Sequence, residues 1–102
     1  MPIHNKLVRD RIPEIIEKSG EAYHTRILNE TEYREEVRQK MKEELDEYLG
    51  AQTDEEALEE LADLLELIHA ASRIHGADVE KLEAVRQRKA EKRGRFEEKI
   101  DV

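Results

Sequence analysis

Four glycines, at positions 20, 50, 76 and 94, each close a stretch whose apolar residues recur at helical spacing. Glycine tolerates the left-handed backbone that ends a helix, so this punctuation divides the chain into helices joined by short turns. Asn29 with Glu32 forms a potential capping box, and Tyr33, Val37, Met41, Leu45, Tyr48 and Leu49 then follow at spacings of three and four up to Gly50. Thr53 with Glu56 repeats the signature ahead of Ala57, Leu58, Leu61, Ala62, Leu64, Leu65, Leu67, Ile68, Ala70, Ala71 and Ile74. Two long amphipathic helices on either side of a turn at 50–53 must lie antiparallel and side by side.

Composition supports that reading. Charged residues make up 43% of the 102 residues and aromatics 4%, against about 25% charged in an average soluble protein. Strands draw on β-branched and aromatic residues, which excludes an all-β fold. The expected fold is all-α, a bundle of about four helices in one domain spanning 1–102. Asp10 caps a first short helix with Pro13 in its first turn, and Asp78 caps a last one running through Val79, Leu82 and Val85 into the basic stretch 86–95. Residues 22–28, AYHTRIL, alternate enough to suggest one short extended segment. Phe96 and Ile100 are expected to order part of the tail.

No apolar run is long enough to span a membrane, and the N-terminus lacks the apolar core of a signal peptide, so a cytoplasmic location is expected. With no cysteine, any metal is held by oxygen or imidazole. The net charge of −8 argues against nucleic acid as a partner, because affinity for a polyanion comes largely from Lys and Arg. The helix from Leu58 to Ile74 is apolar on nearly all sides, more than a chain of this length can cover, which predicts at least a homodimer with a four-helix core.

Glu44 and Glu47 share one side of the first long helix, a turn apart, and Glu60 and Asp63 share one side of the second. On a helical wheel the stripes centre on Met41, Leu45 and Tyr48 and on Leu61, Leu65, Ile68 and Ser72, with the acids at their flanks; Glu60 stacks below Leu64 and Leu67. Acids in a chain this rich in Glu also arise as plain solvated faces. If the two pairs meet across the helix pair, however, their mutual repulsion is relieved by a hard divalent cation, and oxygen ligands without cysteine select Mg²⁺ or Mn²⁺. Two such ions would allow in-line attack at phosphorus. Lys40, one turn before Glu44, is a candidate neutralising partner.

The segment Glu43-Glu44-Leu45-Asp46-Glu47, followed 13 residues after Glu47 by Glu60-Leu61-Ala62-Asp63, resembles the E-E-x-x-E and E-x-x-D motifs of the all-α nucleoside triphosphate pyrophosphohydrolases of the MazG superfamily. The opening Asn5-Lys6-Leu7-Val8-Arg9-Asp10-Arg11-Ile12-Pro13 and the closing Lys89-Ala90-Glu91-Lys92-Arg93-Gly94-Arg95-Phe96-Glu97 extend the likeness to a small phosphoribosyl-ATP pyrophosphohydrolase-like subgroup. The resemblance implies hydrolysis between the α and β phosphates of a nucleoside triphosphate or related nucleotide, giving a monophosphate and pyrophosphate, with Mg²⁺ or Mn²⁺ required. It implies Glu44, Glu47, Glu60 and Asp63 as metal ligands and Glu43 as the group that positions or deprotonates water. Lys6, Arg9, Lys89 and Arg93 are candidate phosphate-binding cations. Phosphoribosyl-ATP is an alternative substrate, and a helical dimerisation module without catalysis is the rival reading. His4, His24, His69 and His75 share no metal-binding spacing, and His69 reads as a packed or interface histidine. Tyr23, Tyr33 and Tyr48 read mostly as core or interface residues.

Overall fold

The computed structural model describes residues 6–21 and 24–102. The described chain forms four helices and no strand: α1 (Ile12–Ser19), α2 (Glu30–Leu49), α3 (Asp54–Ile74) and α4 (Val79–Arg93). The extended segment expected over 22–28 falls partly outside the described residues, and residues 24–28 are irregular. Pairing with a neighbour is what would make them a strand, and none of the described elements provides one.

Helix boundaries follow local chemistry. The Asn29 side chain accepts from the Glu32 amide at 2.9 Å while the Glu32 carboxylate accepts from the Asn29 amide at 3.3 Å, which completes the capping box. Thr53 Oγ1 accepts from the Glu56 amide at 3.1 Å, but the Glu56 carboxylate reaches past Thr53 to the Gln52 amide at 3.1 Å, so this cap is not reciprocal. Asp78 accepts from the Lys81 amide at 2.8 Å. Asp10 does not cap α1; Arg11 holds that position without a side-chain cap, and Pro13 in the first turn lacks an amide hydrogen to donate. After α3 the chain turns through Gly76, whose φ of 76° lies in the left-handed region that disfavours side chains. The buried Ser72 hydroxyl donates to the Ala77 carbonyl at 2.9 Å and fixes this junction.

Helices α2 and α3 form the body of the fold, packed along their lengths. Arg34 near the start of α2 donates to the Ile74 carbonyl at the end of α3, as antiparallel neighbours allow. Helix α4 meets α3 over a much smaller contact and does not meet α2, while α1 makes no close backbone approach to any other helix among the described residues. The outline measures 51 × 35 × 22 Å.

The stripes the wheel selected are covered in part: Met41, Tyr48, Ile68 and Ser72 are among the buried and half-buried residues. Val37, Glu44 and Ser72 are buried, with Met41, Tyr48, Glu60, Leu64, Leu67, Ile68, Ala71 and Ile74 half-buried. Leu45, Leu61 and Leu65, expected at stripe centres, are exposed, as are Leu49 and Leu58. A wheel finds where apolar residues are densest, and here one side of each dense stripe is left open. Phe96 and Ile100 are also exposed and pack on nothing that would order the tail.

Candidate metal centre

Of the acids, Glu44 is buried in the α2–α3 seam, Glu60 and Asp63 are half-buried and Glu47 is exposed at its edge. Glu44 and Glu47 project from α2 a turn apart, and the turn at 50–53 brings Glu60 of α3 opposite them. One carboxylate oxygen from each of the three lies within 4.8 Å of the others. Glu44 is only 7% exposed, and no hydrogen-bond donor reaches its Oε2 or the Oε2 of Glu60. Buried polar atoms are almost always partnered, so an orphaned carboxylate oxygen on each of Glu44 and Glu60 fits the binding of a cation by this cluster.

The electrostatics agree with that geometry. Hydrogen bonding of a protonated Glu60 to Glu47 and then to Glu44, with desolvation after these, pushes the Glu60 carboxyl up to about 7. Burial is the largest cause raising the Glu44 carboxyl, and the charges of Glu47 and Asp63 add to it. An all-oxygen donor set of this kind fits a hard divalent cation.

Asp63 is close enough to be felt by Glu44 but stands apart from the three converging oxygens. Its Oδ1 is held at 2.5 Å by Nη2 of Arg9. Glu43, half-buried, lies between two lysines: Lys6 Nζ at 3.6 Å from one carboxylate oxygen and Lys40 Nζ at 3.6 Å from the other. Lys40 also stands 3.8 Å from Glu44 Oε1, as its spacing suggested. Of the four sequence-derived metal ligands, three converge and the fourth is occupied by an arginine 54 residues away in sequence. Nothing in local spacing signals that pairing; it requires the N-terminal segment to lie over the helix pair.

Lys89 and Arg93 are exposed on α4, beside Val85, Arg88 and Lys92 around a shallow hollow of about 300 Å³. Among the described residues, neither Lys89 nor Arg93 forms an ion pair with the acids. His69 is part-buried with Nδ1 at 3.9 Å from Glu66, and His24 and His75 are exposed. His4 and Tyr23 lie outside the described residues.

Compared with known proteins, residues 5–92 match the family model of phosphoribosyl-ATP pyrophosphohydrolase. No curated protein and no solved structure matches the chain. The match covers most of the sequence and contains both acidic motifs, the helices that carry them and the N-terminal cations, and it places the chain in the phosphoribosyl-ATP pyrophosphohydrolase family, enzymes that act on phosphoanhydride bonds in the manner of MazG-like proteins.

Proposed function

We propose that this protein is a divalent-metal-dependent nucleotide pyrophosphohydrolase that cleaves the α–β phosphoanhydride of nucleoside triphosphates and removes non-standard nucleotides from the cytoplasmic pool. The observation that carries the reading is the meeting of Glu44, Glu47 and Glu60 oxygens within 4.8 Å, two of the three residues having an oxygen without a donor. These three acids and Asp63 would hold Mg²⁺ or Mn²⁺, which would supply positive charge to the phosphate oxygens.

The chain's own residues do the rest. Glu43 accepts a hydrogen bond from the attacking water and takes its proton as the water oxygen bonds to phosphorus. The α–β anhydride bond breaks, and pyrophosphate leaves with the electron pair. Lys6 and Arg9, already beside the acids, bind the outer phosphates, Arg9 with its planar fork. Lys89 and Arg93 of α4 are further phosphate ligands in this reading.

A second copy is supported by surface area. The accessible surface of 9238 Å² for 12.0 kDa stands well above the roughly 6,000 Å² of a compact monomer of that mass. We take the chain as one domain working in a homodimer at least, with no membrane-crossing helix among the described residues. The family's description favours a second reading, with phosphoribosyl-ATP as the substrate.

The test is pyrophosphate release from a panel of nucleoside triphosphates and phosphoribosyl-ATP, with Mg²⁺ or Mn²⁺ and with products identified. Turnover should fall by about 100-fold or more in Glu44→Gln, in line with removal of a charge that organises a reacting phosphate. Activity preserved in both Glu44→Gln and Asp63→Asn removes the assigned ligands. Metal-dependent stabilisation without turnover of any member leaves a binding module.

A further inference from the structure

Three cations lie on the acid cluster, Lys40 from α2 and two from one short piece of chain ahead of α1. Arg9 Nη2 holds Asp63 Oδ1 at 2.5 Å and Lys6 Nζ lies 3.6 Å from Glu43. Both cations precede α1, which makes no close backbone approach to α2 or α3. The tie between this segment and the helix pair includes these two ion pairs. It is also exposed, with Arg9 more than half open to solvent. An exposed ion pair contributes little net stability, so a stronger competitor displaces it.

We infer that Arg9 is an exchangeable counter-ion of the metal centre: it neutralises Asp63 until a divalent cation arrives, and its displacement frees residues 6–11 to bind phosphate. The inference rests on the metal-centre reading above and adds a regulatory link to it. Because one carboxylate cannot serve both partners fully, metal affinity and the docking of the segment oppose each other, and the coupling is reciprocal. A substrate that draws Arg9 onto its phosphates removes the competitor, so substrate favours metal binding beyond the bonds it makes to the ion itself.

The experiment is calorimetric titration of Mn²⁺ into the full chain and into Arg9→Gln, Arg9→Lys and Arg11→Gln, without nucleotide. Removing a unit charge a few ångströms from the bound ion should tighten Mn²⁺ binding roughly five- to tenfold in Arg9→Gln. Arg9→Lys keeps the charge and should keep affinity near that of the wild type. Arg11 pairs with Glu14 at 3.2 Å and not with the acid cluster, so Arg11→Gln should change little. Hydrogen exchange gives a second readout: the Ile12 amide, bonded to the Arg9 carbonyl at 3.1 Å, should exchange faster when Mn²⁺ is added to the wild type and show no metal response in Arg9→Gln. Equal or weaker Mn²⁺ binding in Arg9→Gln, or equal tightening in Arg11→Gln, overturns the counter-ion role and leaves the metal centre standing. Absence of Mn²⁺ binding to every variant overturns both.

Discussion

Glu60 and Glu44 carry a titration that the free side chains do not. The carboxyl of Glu60 is raised from 4.5 to about 7, and that of Glu44 is raised as well, so between these values the folded protein binds more protons than the unfolded chain. Stability then falls as pH rises through the window, the reverse of the usual carboxylate. Without metal, the melting temperature should be lower at about pH 7.5 than at about pH 5.5, and Glu60→Gln should flatten that slope. Adding Mn²⁺ at the higher pH should restore the lost stability by mass action, and chelator should remove it. A metal-free melting temperature that climbs between the two pH values in the wild type contradicts the crowding of these acids. Glu44→Gln, which removes a buried charge at nearly constant shape, should melt no lower than wild type without metal, and where it melts higher each 1 kcal/mol gained corresponds to roughly 4–8 °C.

At the scale of elements, the ends of helices were more legible than their faces. Asn29, Thr53 and Asp78 cap as their spacing indicated, because a cap depends on a few neighbouring residues, although Glu56 bonds Gln52 and leaves the box at Thr53 open. Asn29→Ala should lower stability by about 1 kcal/mol, observable as a loss of roughly 4–8 °C in thermal melting, since it leaves the Glu32 amide without its acceptor. The failure at Asp10 has a local cause too: α1 begins two residues later, at Ile12, with Pro13 in its first turn. Faces are different, because a stripe of leucines says that a surface is covered and not by what. Of the stripe centres, Met41, Tyr48, Ile68 and Ser72 are at least half-buried, whereas Leu45, Leu61 and Leu65 are exposed, and Glu44, on the flank of its stripe, is buried. The acidic motifs were readable because they are read from spacing alone. The grip of Arg9 on Asp63 was not, because it joins positions 54 apart.

For the whole molecule, the leucine rows that one protomer leaves open set the expected assembly. Leu58 is 66% exposed and Leu65 51%, with Leu45, Leu49 and Leu61 also exposed, on two helices that pack together. A standard interface buries about 800 Å² from each partner, an area well within the surplus surface of this chain. Sedimentation should therefore show a dimer or larger species, and Leu65→Glu, which places a charge in such a face, should shift it toward monomer. The same variant should lose the rise of melting temperature with protein concentration that an associating wild type displays. A wild type that sediments as a monomer at all concentrations rules out this face as an interface.

The orphaned oxygens of Glu44 and Glu60 have a consequence for the lifetime of the protein as well as for its chemistry. Clearance by proteases follows the fraction of time a chain spends open, and if these acids hold the divalent ion proposed above, ion-starved copies open more often. Scarcity of magnesium or manganese would then thin the stock of the protein itself as well as its activity, making abundance a slow reporter of divalent-ion supply.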